Sequence, residues 1–477
     1  MTILAIDIGS SSTRTEIYDG SLNPVDQTFS QRTYQLKAGP DGKAELDPTE
    51  LLETVRTCVT TSVQHVENVD AIGVSCFWHS LMGVDEQDNP TTAVLMWADT
   101  RAAPTVRDLS TNIDLKDHHQ RTGTRLHTSY PMAKLPWLLS DDPAHVDRTK
   151  RWMSFPEFLQ LKLTGTLTIS TSMASGTGLF NRTSLEWDEA ALNHADISAD
   201  TLSPLSDVPV RVPDSVEWPE LAGARLVPAI GDGAANNLGS YAISSSHPAL
   251  MVGTTGALRL ITSNPPDKLP SRLWQYRLDA ENALLGGALS EGGGVIAWLM
   301  ETLRAPDHEE LERRISAASP VDHGLIVLPY LAGERSPNWH SDAVGTIHGI
   351  RLDTDPTDII QATMESIGYS FAAILDDLDH LLHQPVEIIA TGNALRLNRT
   401  WLQMIADICG YPLLLPDRTE SSLRGAALHA LRQLGAEPPS PDVTAGAERF
   451  EPRPEHSETY RDARNRQAEL YRLLVER

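Results

Sequence analysis

Two carboxylates in this chain stand where glycine-rich turns leave the backbone bare. Asp7 closes the apolar run Ile3-Leu4-Ala5-Ile6 and leads through Ile8 into the turn Gly9-Ser10-Ser11-Ser12-Thr13. Such a turn can aim N–H groups and hydroxyls at an anion with no Cβ in the way. A carboxylate beside it would repel phosphate unless a divalent cation lay between them. Strand, Asp, nest and a returning strand from Arg14 to Tyr18 therefore read as a phosphate-and-magnesium site, although an ordinary N-terminal hairpin has the same pattern. The second carboxylate is Asp232, in Gly231-Asp232-Gly233-Ala234-Ala235-Asn236-Asn237, after the strand-like segment Arg225 to Ile230. A lone carboxylate between glycines at the mouth of a helix suits a general base or a metal ligand; the plainer alternative is a helix cap.

A second nest, Gly253-Thr254-Thr255-Gly256, lies between the apolar runs Ala249 to Val252 and Ala257 to Leu260. It echoes the opening hairpin about half a chain later, the mark of an internal repeat. Two α/β halves, divided as 1–243 and 244–477, would then face each other across a cleft. Gly292-Gly293-Gly294 opens a helix running from Val295 to Leu303. Thr391-Gly392-Asn393-Ala394 sits between the strand Val386 to Ala390 and a helix at Trp401 to Cys409, a strand-to-helix turn of the kind where nucleotides dock. Two strand ends carry polar and aromatic groups together, Trp78-His79-Ser80 and Trp97-Ala98-Asp99-Thr100-Arg101. Such clusters can clamp a polyol, which needs planar hydrogen-bonders and an apolar face. A buried His79 and a surface Asp99–Arg101 pair are the alternatives.

The elements that must position these groups follow from pattern. A helix starts at the cap-like Asp47-Pro48-Thr49-Glu50 and covers Leu51 to Val69; others cover Met153 to Leu163, Ile360 to Asp379, Ser422 to Leu434 and Tyr460 to Glu476. Ala71 to Phe77, Leu81 to Asp85 and Val94 to Trp97 read as strands, and Thr164 to Ser175 as strand and loop. At 477 residues the chain exceeds one core. A formal net charge of −25 argues against nucleic acid, and no apolar run is long enough to span a membrane. The three scattered cysteines, Cys58, Cys76 and Cys409, and a first strand beginning at once, point to a cytoplasmic protein. There is no GxxxxGK[ST] loop, no well-placed GxGxxG, and no HExxH or CxxC site.

Six segments in register, DIGSSSTR, WADTR, GDGAANN, GTTGALR, LAGERSPNW and ATGNALRLNRTWLQMIADICG, resemble the FGGY family of carbohydrate kinases. The resemblance runs from residue 3 to about residue 430. It implies an α/β fold of two duplicated actin-like, ribonuclease H-like ATPase domains with a cleft between them. The first domain would hold the sugar and the second most of the nucleotide. WHSLMGVDEQDNP, RTGTRLH and GTTGALRLIT are most similar to bacterial gluconokinases, with xylulokinases and glycerol kinases next. The implied reaction is transfer of the γ-phosphate of ATP to a small sugar or sugar acid, first D-gluconate at its 6-hydroxyl. A pentulose or polyol kinase, or a non-catalytic sugar-binding regulator, is the alternative.

The same resemblance implies roles for individual residues. Asp232 would be the catalytic base, and with Asp7 would hold Mg²⁺. The turn Gly9, Ser10, Ser11, Ser12 and Thr13 would touch phosphate, as would Gly253, Thr254 and Thr255. Gly293, Gly294, Gly392 and Asn393 would line the adenosine pocket. His79, Trp97, Asp99 and Asp232 would line the sugar site, with Arg125 or His127 as partners for a carboxylate. Ser10 and Asn393 depart from the usual Thr and Gly. The expected partners are ATP and the sugar, with a homodimer as the candidate assembly.

Overall fold

The computed structural model describes residues 1–141, 143–417, 421–436 and 444–476. Among them, two seven-stranded mixed sheets dominate the architecture. In the first, Ile3–Ile8 lies centrally, antiparallel to Ser12–Tyr18 and parallel to Ala71–Cys76. Ser30–Thr33 extends it on one side, and Arg225–Leu226, Ile230–Gly231 and Val210–Arg211 on the other. Every residue of Ile3–Ile8 and of Ala71–Cys76 is buried, as expected for strands covered on both faces.

The second sheet repeats the plan. Ala249–Val252 is antiparallel to Gly256–Thr262 and parallel to Ile388–Thr391. Ala283–Leu289 and Trp274–Arg277 extend one side, Leu413–Leu415 and Glu448–Phe450 the other. Each nest is thus the turn of a hairpin whose first strand sits mid-sheet beside a parallel neighbour, which places both turns at a crevice formed by strand ends.

Helices cover these sheets where capping chemistry starts them. Asp47 accepts from the backbone N–H groups of Thr49 and Glu50 and opens Pro48–Val63. Asp355 and Asp358 form a capping box at the start of Pro356–Leu378, whose residues are buried along most of its length against the second sheet and the helix Arg399–Cys409. The helix Ser421–Gln433 crosses back to the first sheet: Leu423, Ala426, Ala427 and Ala430 share a core with Ile3, Ala5 and Ala71. Contact is so close that a Cβ on Gly73 would lie 2.2 Å from the Ala426 carbonyl oxygen. A cut at residue 243 therefore separates the sheets but not their packing.

The structure differs from the sequence reading in places. Thr171–Ser175 is a short helix rather than strand or loop, started by Ser170, whose side chain accepts from the Met173 N–H. The strand at Val94 stops at Leu95. Helices Ala103–Asn112 and Leu115–Thr122 were not expected. Ala103–Asn112 buries none of its residues, so it has no apolar stripe to betray its period.

Candidate active site

Three neighbouring parallel strands deliver the two carboxylates. Asp7 pairs in register with Ser75, and Ile230 pairs with the same Ser75 from the other side, so Asp7 and Asp232 emerge at adjacent strand ends. Asp7 is buried; one oxygen accepts from Ser75 Oγ at 2.7 Å and the other from Arg14 Nη2 at 2.5 Å. Asp232 is the first residue of helix Asp232–Gly239, and its Oδ1 accepts from the Gly233 N–H at 2.7 Å. Its side chain is exposed to solvent. Desolvation by the protein around it pushes its carboxyl up to about 6, with Arg259 pulling the other way and the Asp7 charge adding to the rise.

The flanking glycines of this turn are required by Trp78. A Cβ on Gly231 would lie 1.9 Å from the Trp78 indole, and one on Gly233 2.8 Å from it. The indole is fixed in turn by its Nε1–H, which donates to the Ser172 carbonyl at 3.0 Å.

In both nests the glycine N–H bonds a carbonyl further along the turn, three residues on in the first and two in the second. The Gly9 N–H donates to the Ser12 carbonyl and the Gly253 N–H to the Thr255 carbonyl, each at 2.9 Å. The backbone N–H groups of Ser10, Ser11, Thr254 and Thr255 have no protein acceptor among the described residues. Ser10, Ser11 and Thr254 are exposed. These are bare donors of the kind that bind phosphate oxygens. Thr13 departs from the expectation: it is fully buried, and its hydroxyl faces Tyr34 at 3.4 Å because the strand's alternation turns it inward. Gly293 and Gly294 do not offer free donors either. Their N–H groups bond the Gly253 and Thr254 carbonyls at 2.8 and 3.0 Å, and so hold the second nest in shape. Gly392 closes the group from the other side, at φ 95° and with Val252 O only 2.2 Å from a would-be Cβ. Asn393 follows as the first residue of a helical turn, exposed, with no positive φ, so a side chain there leaves the loop geometry intact.

Across the cleft floor lies a pocket of aromatic and imidazole groups. His79 sits at φ 66°, a left-handed conformation that costs energy for a side-chain-bearing residue and collects at functional sites. Its Nδ1 lies 2.6 Å from the Gly176 carbonyl oxygen, which can only accept, so Nδ1 carries the proton and Nε2 is an acceptor. His127 has the opposite tautomer: its Nδ1 accepts from the Ser129 N–H at 3.1 Å, leaving Nε2–H as a donor. Burial, with Arg335 nearby, pushes both imidazoles down to about 3, so both are neutral. Tyr130 and Tyr276 share a hydrogen bond at 2.7 Å beside the His79 ring. Trp97 lies under the Arg335 guanidinium at 5.7 Å. It also borders a cavity of about 460 Å³ shared with Ser10, Ser11 and Tyr34.

Two residues expected at this pocket have protein partners of their own. Asp99 is 1% exposed, and its oxygens accept from the Ala44 N–H at 3.0 Å, the Arg101 N–H at 3.1 Å and the Arg101 guanidinium at 2.6–3.1 Å. Its oxygens thus brace the segment that carries Trp97 and Arg101. Arg125 donates to the Ser271 carbonyl and so reaches across to the second domain's backbone.

Three cations were missed, because a Lys or Arg read from sequence alone is taken as a solvated surface group. Lys134, on the helix Pro131–Asp141, is fully buried. Its Nζ donates to the carbonyls of His79, Met96 and Ser129 at 3.2, 2.8 and 2.6 Å, stapling the segments that carry His79, Trp97 and His127. Arg335 and Arg259 reach the pocket from the second domain, and the charges of both are felt at Asp232.

Two matching sheets, each opening on a nest-bearing hairpin with carboxylates at the strand ends, define the duplicated actin-like architecture of sugar-kinase ATPases. The chain belongs to the FGGY family of carbohydrate kinases: the family's N-terminal domain matches residues 2–209 and its C-terminal domain residues 249–434. It is 29% identical over 458 residues to the gluconokinase of Bacillus subtilis (strain 168), covering 91% of this chain and 88% of that one. The solved gluconate kinase of Lactobacillus acidophilus superposes with a TM-score of 0.90 at 27% identity, covering 99% of this chain and 98% of that one. The ligand-bound xylulose kinase of the same organism does so with a TM-score of 0.90 at 28% identity and the same coverage. Likeness of fold thus does not separate the two acceptors.

Proposed function

We propose that this cleft transfers the γ-phosphate of ATP to the primary 6-hydroxyl of D-gluconate. The observation that carries the reading is that Asp232 feels the charge of Asp7, at the foot of the first hairpin turn, and that of Arg335, which stands over Trp97 and is felt at His79. The bare N–H groups of Ser10, Ser11, Thr254 and Thr255 hold the phosphates, and the Gly392–Asn393 turn borders the adenosine. His79 accepts from, and His127 donates to, hydroxyls of the acceptor, and Trp97 supplies an apolar face. Asp232 takes the proton of the attacking hydroxyl.

The donor set fits a divalent cation. Asp7 and Asp232 are carboxylates close enough for one to raise the pKa of the other, a repulsion that a cation between them would relieve. Mg²⁺ is commonly held by one or two carboxylates together with phosphates and water. Bound there, it would neutralise charge on the phosphate oxygens. The protein's own contribution is positioning and electrostatics, which is most of what phosphoryl transfer requires. Closure of the cleft would exclude water, the competing acceptor.

Support for gluconate comes from the similarity to gluconokinases and from Arg335, whose charge is felt at His79, His127, Tyr130 and Tyr276. The test is a coupled assay of ADP release with ATP and, in turn, gluconate, xylulose, ribulose, glycerol and erythritol. The highest kcat/KM is expected for gluconate; a clear preference for a neutral ketose or polyol would overturn the acidic-acceptor reading.

A further inference from the structure

Most guanidinium groups near the first domain's strand ends are matched to carboxylates: Arg14 to Asp7, Arg101 to Asp99 and Glu45, Arg121 to Asp188. Arg259 and Arg335 have no carboxylate within ion-pair distance among the described residues. Arg259 lies on the Gly256–Thr262 strand and is 8% exposed, and its buried Nη1 has no hydrogen-bond partner among the described residues. An enclosed guanidinium with an unused donor is costly, and an acceptor arriving with a ligand would relieve the cost. Its Nε stands 3.0 Å from where a Cβ on Gly233 would be, on the same turn that Trp78 covers. Arg335 approaches the same space over the Trp97 ring.

We infer that Arg259 and Arg335 form the subsite that reads the carboxylate of an acidic acceptor, with Arg259 the specificity-determining residue supplied across the cleft by the second domain. This rests on the cleft being an acceptor-phosphorylating site. The planar fork of a guanidinium matches a carboxylate bidentately, and two forks on one anion relieve their own repulsion. The same fork could serve the transferring phosphate. Surroundings favour the acceptor: the charge of Arg259 is felt with Asp232, Arg335 and Tyr276, and Tyr276 belongs to the aromatic cluster of Trp78, His79 and Tyr130.

The test compares D-gluconate with D-gluconamide, its neutral isostere, in wild-type protein, Arg259→Met and Arg259→Lys, with the ATP KM measured alongside. Wild type is expected to favour gluconate. Arg259→Met should lower the gluconate-to-gluconamide ratio of kcat/KM by roughly 30-fold or more, the scale of losing one partner of a buried charge pair. The ATP KM should stay near its wild-type value. Arg259→Lys keeps the charge without the fork and should fall between; it also carries the test if the Met variant does not fold. An unchanged ratio in both variants would overturn the inference while leaving gluconate phosphorylation standing. Equal losses on both acceptors with a raised ATP KM would assign the guanidinium to phosphate and overturn it too. A wild-type protein indifferent to the amide would remove the acidic acceptor itself, and the subsite with it.

Discussion

Asp7 and Asp232 leave strands that flank Ala71–Cys76 on either side, but their surroundings differ. Asp7 is tied to Arg14 and Ser75, whereas Asp232 faces the cleft with one oxygen on its own helix's N–H. A base must be ionised to act, and desolvation pushes the Asp232 carboxyl up to about 6. Activity should therefore be lost as pH falls through about 6 and be flat above it; kcat/KM measured from pH 5 to 8 checks this, and a profile flat down to pH 5 would speak against Asp232 as the base. The second nest has its own test. Thr255→Val removes a hydroxyl beside the bare N–H groups and should weaken ATP by about tenfold, the worth of a charge-assisted hydrogen bond, with gluconate affinity nearly unchanged by calorimetry. Asp232 was legible in the sequence because glycines on both sides are rare unless something lies close, and here that is Trp78. The burial of Thr13 and the hydrogen bonds of Asp99 were not legible, since nothing local tells which way a strand residue faces or which lone pairs are already taken. Arg259 and Lys134 could not be found, because burial of a long cation is a tertiary fact.

At the scale of elements, the pocket depends on how three separate segments are held together. Lys134 does this from the helix Pro131–Asp141, with three donors on three carbonyls. Burial pushes its ammonium down to about 7, with Asp99 opposing, so the staple is held at a cost that its hydrogen bonds must offset. Lys134→Met keeps the stem but leaves the three carbonyls without their donor. The expected loss is at least ~3 kcal/mol of stability, read as a lower denaturant midpoint. The gluconate KM should also rise more than the ATP KM; an equal rise in both would make the residue a general core prop. The paired hairpins were readable because apolar strands on either side of a small-residue turn leave a strong local signature. The helix Ala103–Asn112 lacks any buried face, and Ser421–Gln433 gave its period but not its partner, the other domain's sheet. Partners of that kind are set by chain topology, which no local window contains.

The whole molecule carries a formal charge of −25, yet Arg259, with a buried Nη1 that has no partner among the described residues, and Arg335 stand together near Asp232. Local positive charge of that kind would let an anion dwell in an otherwise repelling field. No helix among the described residues is long and apolar enough to cross a membrane. The proposed function assigns phosphate to the two hairpin turns and the acceptor to the groups around His79, so the account stands or falls on transfer between them. ³¹P NMR of ATP, Mg²⁺ and D-gluconate with wild-type protein and with Asp232→Asn follows that transfer directly. With wild type, the γ-phosphate signal should be replaced by one phosphomonoester resonance coupled to the two protons of a primary carbon, with ADP in equal amount. Asp232→Asn should slow this ~10²–10⁴-fold, the usual worth of a general base. Release of inorganic phosphate without the ester, or wild-type turnover by a folded Asp232→Asn protein, would contradict it.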